Sequence, residues 1–169
     1  MQLQLLHQTT CLTTYYDQCN DWLYLEWQGE LTLLLVQEAC TALAACVLTR
    51  PYARVLNSNE QVTNLTWDVA AWLATDFLPH LPLAGVERMA WVYAPLLRGQ
   101  HIVHLLLRQL PAPLTDAFDN VADAVAWLER FRPAGQDAAP VRSPAQQAKL
   151  AQRVQAMRQS MAAVPTQQA

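Results

Sequence analysis

Apolar and polar positions alternate at the start of the chain. Residues 3–7, 12–16 and 22–27 are rich in Leu, Thr, Tyr and Trp, with the bounded apolar runs that predict strands. The polar stretch Asp17-Gln18-Cys19-Asn20-Asp21 predicts a turn between the second run and the third, so the chain begins with antiparallel strands. Gly29 breaks the pattern, and the spacing then lengthens to that of a helix over residues 30–49. Val36, Cys40, Leu43 and Val47 share one face of that helix, and Gln37, Glu38 and Thr41 mark its wetter side. Pro51 stops it. Residues 53–56 form a short apolar run suited to an inner strand, and Asn57-Ser58-Asn59-Glu60 reads as its polar exit.

Thr66 is a candidate N-cap for a helix over residues 67–78, because its hydroxyl can accept from free first-turn amides and Asp68 complements the helix dipole. Pro79 and Pro82 terminate that helix. A strand at 89–93, a helix at 97–110, a strand at 114–118 and a helix at 120–130 complete the body. Strands that alternate with helices predict an α/β fold with a mixed β-sheet. Residues 1–132 make the domain, and 133–143, rich in Pro, Ala, Gly and Gln, read as a flexible linker. In the tail, 144–169, Ser143 can cap and Pro144 can open a short amphipathic helix carrying Leu150, Val154, Met157 and Met161. With Lys149, Arg153 and Arg158 around the apolar positions, it reads as a helix for a partner or a membrane surface. The competing reading is a helix that frays alone, since isolated helices shorter than ~12–15 residues are marginal.

Composition narrows the classes. The 169 residues suit one domain plus a tail, and 53% hydrophobic content with six Trp supplies a core. Net charge is −3, so no basic field exists to displace counterions from a nucleic acid, and nucleic-acid binding is not expected. The start of the chain lacks a charged region followed by an apolar core and a small-residue cleavage site, which predicts a cytoplasmic protein. The nearest approach to a transmembrane segment, residues 31–48, has Gln37 and Glu38 at its centre, so a buried amphipathic helix is expected instead. Cys11, Cys19, Cys40 and Cys46 form no metal-type ladder and read as reduced thiols in the core.

Several segments taken together resemble one bacterial family. They are Trp27-Gln28-Gly29, Val55-Leu56-Asn57, Trp67 and Trp72, Phe77-Leu78-Pro79, Ala84-Gly85, Ala90 through Pro95, and Phe118-Asp119 leading to Ala124 and Trp127-Leu128. Over about residues 13–131 the chain looks like the small SpoIIAA-like proteins of the STAS type. The resemblance implies a sheet with helices covering one face, the fold shared by anti-anti-sigma factors and CRAL-TRIO lipid-transfer domains. In the anti-anti-sigma branch a serine after an aspartate opens a helix and is phosphorylated by a partner kinase. That Asp-Ser pair is missing here, which leaves Ser58, Thr63 and Thr66 as candidate phosphoacceptors. A phosphate on Thr66 would meet a helix N-terminus; the plain alternative is an ordinary N-cap.

Asn57, Ser58, Asn59 and Asn64 fall beyond a strand's carboxyl end, where open α/β sheets place ligands. Trp67, Trp72, Trp91 and Tyr93 can wall an apolar pocket beside them, or serve as core; Trp91 reads as core. Trp67 and Trp72 stand five apart, about 140° around a helix, and cannot both face one pocket. His101 and His104 share a helix face, but no carboxylate or cysteine completes a metal set, and His80 suits a turn. Asp68 and Asp76 read as a solvated face. With no nucleophile elbow, no phosphate loop and only four glycines, neither a catalytic residue nor a cofactor is expected. Two functions stand: a non-enzymatic regulatory or protein-interaction module, whose partner is another protein or a second copy, and a carrier or sensor of an apolar small molecule or lipid between sheet and helices.

Overall fold

The alternating segments pair into one six-stranded sheet, with strands in the chain order β1 to β6. The computed structural model describes residues 1–94, 114–131 and 142–162. β1 (Leu3–Gln8), β2 (Leu12–Asp17) and β3 (Trp22–Leu31) are antiparallel neighbours, as the short polar turns between them require. β4 (Arg54–Leu65), β5 (Arg88–Val92) and β6 (Leu114–Phe118) continue from β3 in parallel, so the sheet is mixed. The α/β class with a mixed sheet is therefore observed. The expected helix at 97–110, with His101 and His104, lies outside the described residues, as does most of the linker.

Side chains alternate across a strand, and in β3, β5 and the first half of β4 both sets are buried. Leu23 and Leu25 of β3, Val55 of β4 and Met89 and Trp91 of β5 face α1 (Leu33–Thr49) and its neighbours. Val36, Cys40, Leu43 and Val47 of α1 are all buried against them, as their spacing predicts. The same face is covered by α2 (Trp67–Trp72) with the helical turns that follow it, and by the C-terminal helix. Trp22, Tyr24, Leu56, Ala90 and Val92 point the other way, against Ala124 and Leu128 of α3 (Val121–Glu129). Among the described residues three helices thus share the main face, and α3 adds a smaller cover on the opposite one. Asn120 caps α3, its Oδ1 accepting from the Asp123 amide at 2.9 Å.

Four local expectations are revised. Gly29 does not end β3: the strand runs to Leu31, with Gly29 at φ 74° beside an irregularity in the pairing with β4, and α1 starts at Leu33. A glycine in a strand interior often marks such a bulge. β4 does not stop at residue 56; it runs on to Leu65, with Asn57 and Ser58 paired to both neighbouring strands and Asn59 at a break in the register with β3. The helix from residue 67 is α-helical for one and a half turns, then widens into a π turn at Leu73–Phe77 and tightens into a 3₁₀ segment at Leu78–Ala84 around Pro79 and Pro82. Thr66 holds the cap position, but its hydroxyl pairs with the Asp68 carboxylate and not with a first-turn amide.

The tail helix α4 (Pro144–Ala162) is long and docked. Ser143 Oγ accepts from the Gln146 amide at 3.2 Å, and Gln146 Oε1 accepts from the Ser143 amide at 2.9 Å, a reciprocal capping box. Leu150, Val154 and Met157 are buried in the main core. Two donors near its start satisfy carbonyls that α1 leaves open at its C-terminus. Gln147 Nε2 donates to Leu48 O at 3.0 Å, and the Arg142 guanidinium donates to Val47 O and Leu48 O. The Arg142 charge also complements the negative end of α1. Among the described residues no helix is long and apolar enough to cross a membrane.

Candidate functional site

Between the parallel strands and their helical cover lies a cavity of about 90 Å³. β3, β4 and β5 supply its floor through Leu25, Trp27, Val55, Asn57, Asn59 and Trp91. α1, the 3₁₀ segment and α4 supply its roof, with Leu150, Val154 and Met157 descending from α4. Most of the lining is aliphatic or aromatic, so the polar members stand out.

Asn57 and Asn59 alternate with Leu56 and Ser58 along β4, which turns the two amides onto the cavity face and Ser58 onto the α3 face. Asn57 is 4% exposed and accepts from Trp27 Nε1 at 2.9 Å. An indole nitrogen only donates, so this bond fixes the amide: Oδ1 is the acceptor and Nδ2 is left over. Asn59 Nδ2 donates to Val92 O at 2.8 Å, tying β4 to β5. Trp91, the register partner of Asn57 on β5, is 7% exposed. Among the described residues Asn57 Nδ2 and Trp91 Nε1 are buried donors without a hydrogen-bond partner.

Among the described residues the charged groups of the cavity belong to the roof. Arg153 of α4 donates to the Asp76 backbone carbonyl at 2.9 Å and lies 3.3 Å from its carboxylate. His80 lines the same side; burial, and then the Arg153 charge, lower the pKa of its imidazole. Asp76, Arg153 and Met157 also border a second, more polar groove of about 270 Å³ between α1, Trp72 and the end of α4. The Asp76–Arg153 pair thus stands where the apolar cavity meets a wider, wetter space.

The expected site residues separate. Asn57 and Asn59 line the cavity. Ser58 is 2% exposed on the other face, where its Oγ accepts from the Glu60 amide at 3.4 Å, and it opens no helix. Asn64 is exposed and donates to Glu30 Oε1 at 3.1 Å. Thr63 is exposed on β4, and Thr66 is engaged with Asp68. Trp67 is 67% exposed, whereas Trp72 is half-buried and stacks on Phe77 with centroids 6.1 Å apart, which agrees with their angular separation. Trp91 is core and cavity floor at once. Tyr93 packs at the edge of the core, and burial, followed by Asp119 and Asp116, pushes its phenol up.

Sequence reasoning missed Trp27 as the group that orients Asn57, and α4 as the roof. The apolar positions of α4 were visible, but nothing local said that their partner is this chain. Of the thiols, Cys11 and Cys40 are buried and Cys19 is exposed, so the core reading holds for part of the set. Among the described residues no group of three or more His, Cys, Asp or Glu is placed to hold a metal ion.

No protein-family model matches the chain, and no curated protein does. Among solved structures the chain is similar to an uncharacterized protein of the DUF3478 family with a SpoIIAA-like fold from Shewanella loihica PV-4. The likeness is at 15% sequence identity and a TM-score of 0.47, over 73% of this chain and 98% of that one.

Proposed function

We propose that the protein is a non-catalytic carrier or sensor of an apolar small molecule held between the sheet and its helical cover. The observation that carries this reading is the cavity itself: an apolar space floored by β3, β4 and β5 in which a few polar atoms converge, the ordinary composition of a ligand site. Its size sets a condition. An engineered cavity of about 150 Å³ holds benzene, and this one has about 90 Å³ with α4 seated. A ligand longer than a few heavy atoms therefore takes the place of Leu150, Val154 and Met157, and loading is coupled to movement of α4. That coupling suits a sensor, because ligand occupancy becomes a change in the position of a 19-residue helix.

Native mass spectrometry of the freshly purified full-length chain tests the reading. Extra mass that is lost on denaturation supports it and gives the ligand class. A clean mass, together with no change in tryptophan fluorescence on titration with fatty acids, alcohols and phospholipid, rejects it.

A regulatory interaction module is the second reading, and one observation favours it. Trp67 is 67% exposed and Leu34 is 62% exposed, and the two begin helices that follow the neighbouring strand ends Leu31 and Leu65. A large exposed indole and an exposed leucine at the starts of two helices that leave paired strand ends make a surface suited to a protein partner or a second copy of the chain. A concentration-dependent mass doubling that Trp67→Ala abolishes would support it.

A further inference from the structure

Resting on the carrier reading, we infer that the ligand presents an uncharged hydrogen-bond acceptor, a ketone, ester or amide carbonyl, to Asn57 Nδ2 and Trp91 Nε1 on the cavity floor. Both donors belong to side chains more than nine-tenths buried, and both lack a partner among the described residues. Leaving a buried donor unpaired is destabilising, and native proteins rarely carry such groups without a use for them. Here there are two on register partners of adjacent strands, lining one cavity. A carbonyl oxygen has two lone pairs and can accept from two donors at once.

The donors' chemistry excludes a cation, since neither nitrogen accepts. An anion is disfavoured by what surrounds them. The three floor strands contribute no charged side chain to the cavity; among the described residues its charged groups, Asp76 and Arg153, sit in the roof and are engaged with each other. A carboxylate on the floor would be stripped of water with no countercharge, which is far more costly than burying a neutral carbonyl. The polarity of the site is therefore inverted relative to a simple fatty-acid pocket: the neutral head lies on the sheet, and the aliphatic remainder runs up toward α4.

The test uses four eight-carbon probes on the full-length protein: 2-octanone, octane, octanoate and octylammonium. Affinities come from tryptophan fluorescence, and the indole N–H signals are followed in ¹H–¹⁵N spectra, with Trp91 assigned by its loss in Trp91→Phe. The expected result is that 2-octanone binds about 3- to 10-fold more tightly than octane, the range of one net hydrogen bond. It should move the Trp91 indole proton downfield, and Trp91→Phe should reduce the preference for 2-octanone over octane, Asn57 Nδ2 remaining as the second donor. Trp91→Phe removes the N–H together with the pyrrole half of the indole, so its melting temperature is measured beside the wild type and the probe ratios are compared within each protein. If 2-octanone and octane bind equally and the Trp91 signal stays in place, the head-group assignment is wrong while the carrier reading survives. Tightest binding by octanoate, lost in Arg153→Gln, would move the head to the roof and likewise overturn the assignment. Failure of all four probes to bind would refute the carrier reading and this inference with it.

Discussion

Replacing Leu150 and Met157 of α4 together by alanine should undock that helix and leave the sheet standing. The two side chains are 4% and 8% exposed, and they flank Val154, at 3%, along the buried stripe. Large-to-small changes at buried Leu or Met cost about 2–5 kcal/mol each, so the pair removes roughly 4–10 kcal/mol of docking. What remains is Val154, about 1.5–3 kcal/mol of burial, and the Arg153–Asp76 pair, whose side chains are 32% and 48% exposed and which at that exposure is worth under about 1 kcal/mol. The bonds of Arg142 and Gln147 to the end of α1 tether only the first turns. The balance favours release. Hydrogen exchange read by mass spectrometry should show residues 144–162 losing protection while peptides from β3, β4 and β5 keep theirs, and a hydrophobic dye should bind the opened cleft. Unchanged protection over 144–162 would mean that the burial estimate for α4 is wrong. Equal loss in α4 and β4 would mean that α4 belongs to one cooperative unit with the sheet and is not a separable cover.

Three further outcomes are expected. Trp67→Ala should change stability by no more than about 0.5 kcal/mol in urea unfolding, the range for exposed sites, yet weaken any pull-down that depends on the α1–α2 end; a large melting loss would place Trp67 in the core. Trp27→Phe removes the donor to Asn57 Oδ1 and should cost about 1–3 kcal/mol, with the Asn57 amide losing its fixed orientation in NMR spectra; a neutral effect would mean that the bond contributes nothing. Burial, followed by the Glu26 charge, pushes the Tyr24 phenol up to about 12 from an ordinary 10. The folded state therefore keeps its proton where the unfolded state has lost it, so this contribution is complete below pH 10 and disappears between pH 10 and about 12. Urea midpoints at pH 9, 10 and 11 should fall more steeply for the wild type than for Tyr24→Phe; parallel curves would contradict the shift.

The fold was legible where apolar spacing met no competing signal. α1 shows this best: Val36, Cys40, Leu43 and Val47 are spaced for one face, and all four are buried on it. The start of α4 was equally legible, because Ser143 and Pro144 carry cap chemistry that needs no tertiary context. What misled was turn chemistry inside a strand. Gly29 and the Asn57-Ser58-Asn59 run have the composition of loops, but parallel pairing overrides local preference: Asn57 and Ser58 are held by ladders on both sides, and Gly29 is carried along by the β3–β4 pairing that runs to Leu65. The place where α4 docks was illegible for another reason: its stripe of Leu150, Val154 and Met157 would look the same whether it met a membrane, another protein or the cavity at the far side of its own domain.

The misread strand and the site are the same residues, and this has a physical basis. A parallel strand buried on both faces ordinarily reads as a continuous run of Val, Ile and Leu, and β4 begins that way with Val55 and Leu56 before placing Asn57 and Asn59 on its cavity face. Each amide there has to be satisfied at the expense of apolar burial. Asn59 repays that cost structurally, through its bond to Val92 O of β5. Asn57 repays only half: Trp27 takes its oxygen, and the nitrogen is left on the floor of the cavity beside Trp91. A residue kept solely for packing would be a valine at this position, and one kept solely for the Trp27 bond would need an acceptor and no donor. The half of Asn57 that the fold does not use is thus the part of the molecule most directly shaped for something the chain itself does not supply.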